Sequence, residues 1–101
     1  MKEIHFRAAQ LLECVGEPIR FQIICHLQNG PCSVGKLARL TKRHQTTVCQ
    51  HLAALRSFQV VRYRNRKQFT FYELKLKSVV SLLELAVQCA GQAGAGVPQT
   101  G

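Results

Sequence analysis

The stretch Ser33-Val-Gly-Lys-Leu-Ala-Arg-Leu-Thr-Lys-Arg-His-Gln-Thr-Thr-Val-Cys-Gln-His-Leu-Ala-Ala-Leu-Arg-Ser-Phe58 decides the fold. It contains two runs of apolar residues at steps of three and four, which is the spacing of one helix face. The first run is Val34, Leu37, Ala38 and Leu40, and the second is Val48, Leu52 and Leu55. Between them lies the short polar segment Thr41-Lys-Arg-His44. We therefore predict a helix-turn-helix whose recognition helix runs from about Gln45 to Phe58.

Polar and basic side chains occupy the corner and the outward face of this second helix. Such side chains suit base edges and phosphate oxygens. Facing the major groove we expect Gln45, Thr46, Cys49 and Gln50, and on the phosphates Lys42, Arg43 and His44. Two other interpretations of Cys49 stay open: a thiol whose oxidation blocks DNA binding, and a passive small residue.

The positive charge of the chain is unevenly distributed. Fourteen Lys and Arg stand against five acidic residues, which gives a formal net charge of +9. No acidic residue occurs between Glu17 and Glu73, whereas ten Lys and Arg do. This asymmetry indicates a polyanionic partner, and the helix-turn-helix favours double-stranded DNA. A nonspecific nucleoid or RNA-binding protein would share the charge and is the alternative of a different class.

The composition argues against catalysis. A cysteine nucleophile needs a base and an orienting acid, and the chain has no Asp and only five Glu. We expect neither an enzyme nor a bound cofactor.

Five cysteines, an odd number, argue against a fully paired disulfide framework. The N-terminal Met-Lys-Glu-Ile-His-Phe-Arg lacks the apolar centre of a signal peptide, and no apolar run approaches the roughly 18 residues of a membrane span. We therefore predict a cytoplasmic protein without a membrane partner, in which the thiols are reduced.

Other helices are predicted on both sides of this stretch. Periodic apolar residues predict a helix over about 3–15 and a second from Pro18, which Asn29-Gly30-Pro31 ends. A helix from about Leu76 to Cys89 is apolar around much of its circumference. Because so small a domain has little core to cover that surface, we expect a homodimer through the first and last helices. Residues 1–90 form the predicted domain, and 91–101 a flexible tail.

Residues 60–74 change to the alternation of a β-hairpin, with Val61 and Tyr63 on one strand and Phe69 and Phe71 on the other. Its tip carries Arg64, Arg66 and Lys67. A hairpin directly after a recognition helix is typical of the wing of a winged helix-turn-helix, and its basic tip suits the DNA backbone. A charged edge hairpin would use the same residues. The expected fold class is mainly α with a small β-hairpin (α+β): about five helices and a two-stranded wing.

The chain resembles the ArsR/SmtB family of bacterial repressors over roughly residues 8–89. The matching segments are Gly16-Glu-Pro-Ile-Arg20, Ile23-Ile-Cys-His-Leu27, Ser33-Val-Gly-Lys-Leu37, Gln45-Thr-Thr-Val-Cys-Gln-His-Leu52, Leu55-Arg56 and Phe71-Tyr-Glu-Leu74. The resemblance implies a homodimeric, nucleoid-associated bacterial repressor that binds a palindromic operator and releases it when an inducer is sensed.

Within that family the chain is most similar to the persulfide-sensing subgroup, the BigR- and SqrR-like repressors. Cys25 stands where that subgroup has its second-helix cysteine, and Cys89 lies near the position of the partner in the last helix. The resemblance implies that a sulfur bridge between them releases DNA. The separation is two residues shorter here, a difference we place after Leu74. Since Cys25 lies in an apolar run, it also fits a small core residue.

Metal-responsive members of the family suggest another inducer. The terminal helix here has none of the Asp and His of the zinc-type members, so we expect no zinc or nickel site with nitrogen and oxygen ligands. Trivalent arsenic or antimony bound by Cys32 with Cys14 or another thiol is the alternative. Cys32 precedes a helix whose dipole would favour its thiolate.

Overall fold

A computed structural model describes residues 1–93 of the 101-residue chain. In this range there are five helices and three strands. The helices are α1 (Glu3–Val15), α2 (Pro18–Leu27), α3 (Val34–Thr41), α4 (Gln45–Ser57) and α5 (Val79–Ala93), and the strands are β1 (Cys32–Ser33), β2 (Val61–Arg66) and β3 (Phe69–Leu74). The predicted winged helix-turn-helix is confirmed.

Helices α2 and α3 begin where the sequence places their start signals. Pro18 opens α2, and the Glu17 carboxylate accepts from the Arg20 backbone N–H at 2.9 Å. Ser33 caps α3 by accepting from the Lys36 N–H at 3.1 Å. Lys42 ends α3 in the left-handed conformation, with φ of 56°, which turns the chain toward α4.

The core joins all five helices to the base of the wing. Its fully buried side chains are Ile23, Ile24, Leu37, Val48, Leu52, Leu55, Val60 and Val79. One prediction in α3 was wrong: Leu40 is 44% exposed, and Thr41 is buried instead. The Thr41 hydroxyl can enter the core because it donates to the Leu37 carbonyl at 2.7 Å.

The wing has three strands rather than the predicted two. They are antiparallel in the order β1-β3-β2. Cys32 of β1 pairs with Tyr72, and Ser33 pairs with Phe71. Two residues are too few to show an alternation, so no local sequence pattern predicts this strand. It joins the start of α3 to the wing.

The last helix differs at both ends from the prediction. It begins at Val79, after a turn in which the Val79 N–H donates to Leu76 O, and it continues to Ala93. Residues 91–93, predicted as tail, are therefore helical, and the rest of that tail lies outside the described residues. None of the helices in residues 1–93 has the length and apolar character to cross a membrane.

Candidate nucleic-acid interface and thiol sites

The two sides of α4 divide sharply between core and solvent. Val48, Leu52 and Leu55 have no exposed surface. The four side chains predicted to face a major groove are exposed: Gln45, Thr46, Cys49 and Gln50. Since the buried side fixes the helix against its own core, the polar side is presented as a rigid surface.

The corner places positive charge at the N-terminus of α4. Lys42, Arg43 and His44 are all exposed. His44 is the N-cap in extended conformation, and its side chain makes no capping hydrogen bond. The first N–H groups of a helix carry the positive end of its dipole and favour anions. The corner can therefore hold phosphate oxygens beside the polar face of α4.

A groove of about 800 Å³ between α3 and α4 extends this basic surface. Arg39 lines it with the corner residues. Sequence reasoning missed Arg39, although its exposed position near the end of α3 was the available signal. Gly35 also lines the groove, and a Cβ there would approach the Gln45 amide nitrogen to 3.5 Å.

The wing divides its basic residues into paired and unpaired. Arg64 Nε lies 2.8 Å from Glu73 Oε1, and Arg62 Nη2 lies 3.3 Å from Glu73 Oε2. Arg66 and Lys67 are exposed, and within residues 1–93 no ion pair engages them. Of the three predicted wing contacts, Arg66 and Lys67 thus have their charge available to a phosphate, whereas Arg64 shares its charge with Glu73.

One contact joins the recognition helix to the wing and was not foreseen. The guanidinium carbon of Arg56 lies 4.4 Å from the ring centroid of Tyr63, a cation–π geometry. Tyr63 in turn lies 6.0 Å from Tyr72. Because Arg56 is at the end of α4, this stack fixes the wing relative to the polar face of α4.

Comparison with known proteins identifies the family to which this architecture belongs. Residues 17–63 match the family described as bacterial regulatory protein, arsR family. The transcriptional activator HlyU of Vibrio cholerae is 34% identical over 85 residues, which are 84% of this chain and 79% of HlyU. This chain belongs to the ArsR family. It is therefore a transcriptional regulator with a DNA-binding winged helix-turn-helix, and the family resemblance in the sequence is confirmed.

Further relatives agree in fold and differ in their named roles. The biofilm growth-associated repressor of Xylella fastidiosa is 35% identical over 66 residues, 65% of this chain and 58% of the repressor. The solved structure of HlyU from Vibrio cholerae superposes with a TM-score of 0.78 at 32% identity, covering 88% of this chain and 97% of HlyU. NolR from Sinorhizobium fredii gives 0.80 at 29% identity, covering 88% and 89%. The persulfide-sensing subgroup stays a prediction.

Cys25 lies on the side of α2 that faces α5. It lines a mainly apolar cavity of about 200 Å³ with Phe21 and Ile24 from α2 and Val80, Leu83, Glu84 and Val87 from α5. Part of the Cys25 side chain is exposed, yet desolvation by these walls raises the pKa of its thiol. The Cys25 thiol is thus accessible to small reagents and mainly protonated at neutral pH.

Cys89 does not line the cavity that contains Cys25. The α5 residues that do so follow helix spacing, at positions 80, 83, 84 and 87. Cys89 comes two residues after Val87, which turns its side chain about 200° away around the helix. Gly91, two residues further, returns to the Cys25 side. The resting helix therefore presents the two predicted sensing thiols in different directions.

The remaining thiols lie on different elements, with Cys14 on α1, Cys32 on β1 and Cys49 on α4. Cys14 of α1 is buried, with Sγ 3.9 Å from the Ala54 carbonyl oxygen, and burial raises its pKa against the opposing effect of Arg20. Cys32 is 4% exposed within β1, and its role as an arsenic or antimony ligand stays a prediction. In residues 1–93 no three His, Cys, Asp or Glu side chains gather as a metal site.

Proposed function

We propose that this chain is a homodimeric repressor that binds a palindromic operator and releases it when Cys25 is modified. The observation that carries the DNA-binding proposal is the exposed polar face of α4 beside an exposed basic corner. In this proposal Gln45, Thr46, Cys49 and Gln50 contact bases, and Lys42, Arg43, His44, Arg66 and Lys67 contact phosphates. The protein has no catalytic activity of its own.

The proposed dimer forms through α1 and α5. On one chain these helices leave large apolar side chains exposed: Ile4, Phe6 and Leu12 on α1, Leu85 and Val87 on α5. A second copy would remove them from water. A twofold dimer places its recognition helices about 34 Å apart, one turn of DNA, which matches two half-sites of a palindrome.

The names of the relatives support a role in transcription regulation. Whether this chain activates or represses must be measured. The named activator and the named repressor share the fold. We favour repression, because a dimer of this size that covers a promoter excludes polymerase without needing a further surface. A reporter gene placed behind the bound sequence should rise when the protein is removed, and a fall would assign activation.

The proposed switch begins at Cys25 and ends at Cys89. The Cys25 thiolate attacks the outer sulfur of a low-molecular-weight persulfide, forms a Cys25 persulfide and releases that donor's thiol. The Cys89 thiolate then attacks the inner sulfur of the Cys25 persulfide and expels hydrosulfide, which leaves a disulfide between the two residues. Two cysteine thiols and one persulfide thus give one disulfide, one thiol and hydrogen sulfide.

Closing this bridge requires α5 to change shape. Because Cys89 faces away from the cavity at Cys25, the last turns of α5 must rotate or unwind to bring the thiols within disulfide distance. Residues 84–93 are all exposed in one chain, so unwinding them disturbs little of its core. The same turns belong to the proposed dimer surface, and their rearrangement would misplace the two recognition helices.

The proposal is tested by measuring DNA affinity and intact mass together, before and after treatment with a persulfide. Untreated wild type should bind DNA. After treatment its mass should fall by two hydrogens, as a Cys25–Cys89 link requires, and its affinity for DNA should fall as well. Cys25→Ser should bind DNA and not respond. Cys14→Ser, whose hydroxyl can still donate to the Ala54 carbonyl, is the matched control that should respond as wild type does. A normal response of Cys25→Ser would overturn the switch. Parallel treatment with arsenite tests the thiophilic-metal alternative.

A further inference from the structure

Arg20 connects three helices at the back of the recognition helix. Its Nε donates to the Cys14 carbonyl oxygen of α1 at 2.5 Å, and its backbone N–H donates to the Glu17 carboxylate that caps α2 at 2.9 Å. Its Nη1 lies 3.1 Å from His51 Nδ1 on α4. Arg20 thus connects the ends of α1 and α2 to α4, the helix that carries Gln45 and Gln50.

The chemistry of the two side chains defines the state of His51. A guanidinium can only donate, so a hydrogen bond between these two atoms requires Nδ1 to accept and the ring proton to be on Nε2. The Glu17 carboxylate lies 3.6 Å from the same Nδ1, beyond hydrogen-bond distance.

We propose that Arg20 and His51 are positioning residues for the recognition helix, and that protonation of His51 releases α4 from Arg20 and weakens operator binding. This inference rests on the proposed DNA-binding function. A proton on Nδ1 places two donors and two positive charges face to face, so the Arg20 contact is lost. The Glu17 carboxylate, 3.6 Å away, can then accept from Nδ1, in competition with its role at the start of α2.

The charged groups near His51 are Glu17, which attracts a protonated ring, and Arg20, which repels it. The His51 side chain is 19% exposed and that of Glu17 is 29% exposed. From α1 the Cys14 thiol faces α4 and points to Ala54 O. From α3 and β2, within the described residues, no hydrogen bond or ion pair reaches His51. Glu17 favours the imidazolium and Arg20 disfavours it, so the contact passes from one to the other as His51 gains a proton.

The expected change of operator affinity with pH is opposite to the change that simple electrostatics predicts. Added positive charge on a DNA-binding protein usually strengthens binding as the pH falls. His44, exposed at the corner, should follow that rule. His51 points to the core side of α4 rather than to the DNA surface, so its protonation acts on the orientation of the helix. Operator affinity should therefore fall on acidification, while affinity for unrelated DNA should not.

The test measures the dissociation constant for a duplex enriched from a random library, and for a scrambled duplex, between about pH 7.5 and pH 5.5. This range spans the ordinary titration of imidazoles. Wild type should lose roughly tenfold in affinity for the enriched duplex, the scale of one charge-assisted hydrogen bond. His51→Gln should bind as wild type does at about pH 7.5, because its amide oxygen can accept from Arg20, and should show no acid loss. His26→Gln, at the end of α2, is the control that should retain the acid loss.

A second measurement is independent of DNA. Long-range ¹⁵N spectra of the histidine rings at about pH 7.5 should show the His51 proton on Nε2. A proton on Nδ1, an acid loss that persists in His51→Gln, or a pH-independent wild type would overturn the inference alone. Failure of the wild type to bind any DNA at about pH 7.5 would overturn the proposed function and this inference with it.

Discussion

The recognition helix and the terminal helix are covered to very different extents. In α4 the inward residues Val48, Leu52 and Leu55 are completely buried in the chain's own core. In α5 Val79 and Leu83 are buried near the beginning, whereas Leu85 is 56% and Val87 is 60% exposed. The helix that faces DNA is therefore held by its own chain, and the second half of α5 is available to a second copy.

This difference assigns separate roles to two parts of one small domain. A rigid α4 can present the same side chains to DNA in every molecule. A weakly covered end of α5 can move without unfolding the domain, because little apolar surface of its own chain holds it. The helix proposed to contact DNA, α4, and the segment proposed to respond to thiol chemistry, the end of α5, thus differ in packing as well as in residues.

The largest expected effect is on stability, and it comes from shortening a core side chain of α4. Leu52→Ala should lower the free energy of unfolding by about 2–5 kcal/mol, because it removes a fully buried side chain. Leu85→Ala, the matched change in α5, should have little effect on the isolated chain and should weaken the dimer. Denaturant unfolding at two protein concentrations separates these outcomes. Equal, concentration-independent losses would show that α5 is held by its own chain.

A change on the polar face of α4 should alter specificity and leave stability unchanged. Gln50→Ala should reduce discrimination between the preferred and a substituted base pair by about 1–3 kcal/mol, because it removes an exposed amide from the predicted base-reading face. Gln22→Ala, which removes an exposed glutamine on α2, is the matched control and should leave the discrimination unchanged. Competition binding with singly substituted duplexes measures both. Unchanged discrimination in Gln50→Ala would remove that residue from the interface.

The smallest expected effect concerns the wing. Arg66→Ala should reduce the dependence of log affinity on log salt by about 0.9, one phosphate contact. Arg64→Ala should reduce it less, because Arg64 shares its charge with Glu73 at 2.8 Å. Salt titrations of DNA binding compare the two variants. A larger reduction for Arg64 than for Arg66 would mean that the Glu73 pair opens on DNA.

Local periodicity explains why much of this fold could be predicted from sequence. The four N-terminal helices and the hairpin depend on neighbouring residues: Pro18 at a helix start, Ser33 as a cap, and apolar steps of three and four in α4. Exposure of the predicted DNA-facing residues follows from the same periodicity. The missed strand β1 pairs over only two residues with a segment far along the chain, which no local pattern records.

Features that join distant segments could not be predicted. The pairing of Arg64 with Glu73 depends on the hairpin register, and the Arg20–His51 contact depends on how α2 packs against α4. The direction of Cys89 depends on the helical phase of α5, where a two-residue difference in spacing reverses the side of the helix. Family position alone therefore paired Cys25 with Cys89, and the geometry shows that pairing to need a rearrangement.

The most direct test of the central claim is a binding selection from a random double-stranded library with wild-type protein and with Gln50→Ala. The exposed polar face of α4, presented twice by a twofold dimer, predicts an enriched palindrome with half-site centres about 10 base pairs apart. Gln50→Ala should relax the preference at the same position in both half-sites. Enrichment of no sequence, as expected for a nonspecific nucleoid protein, would contradict the account.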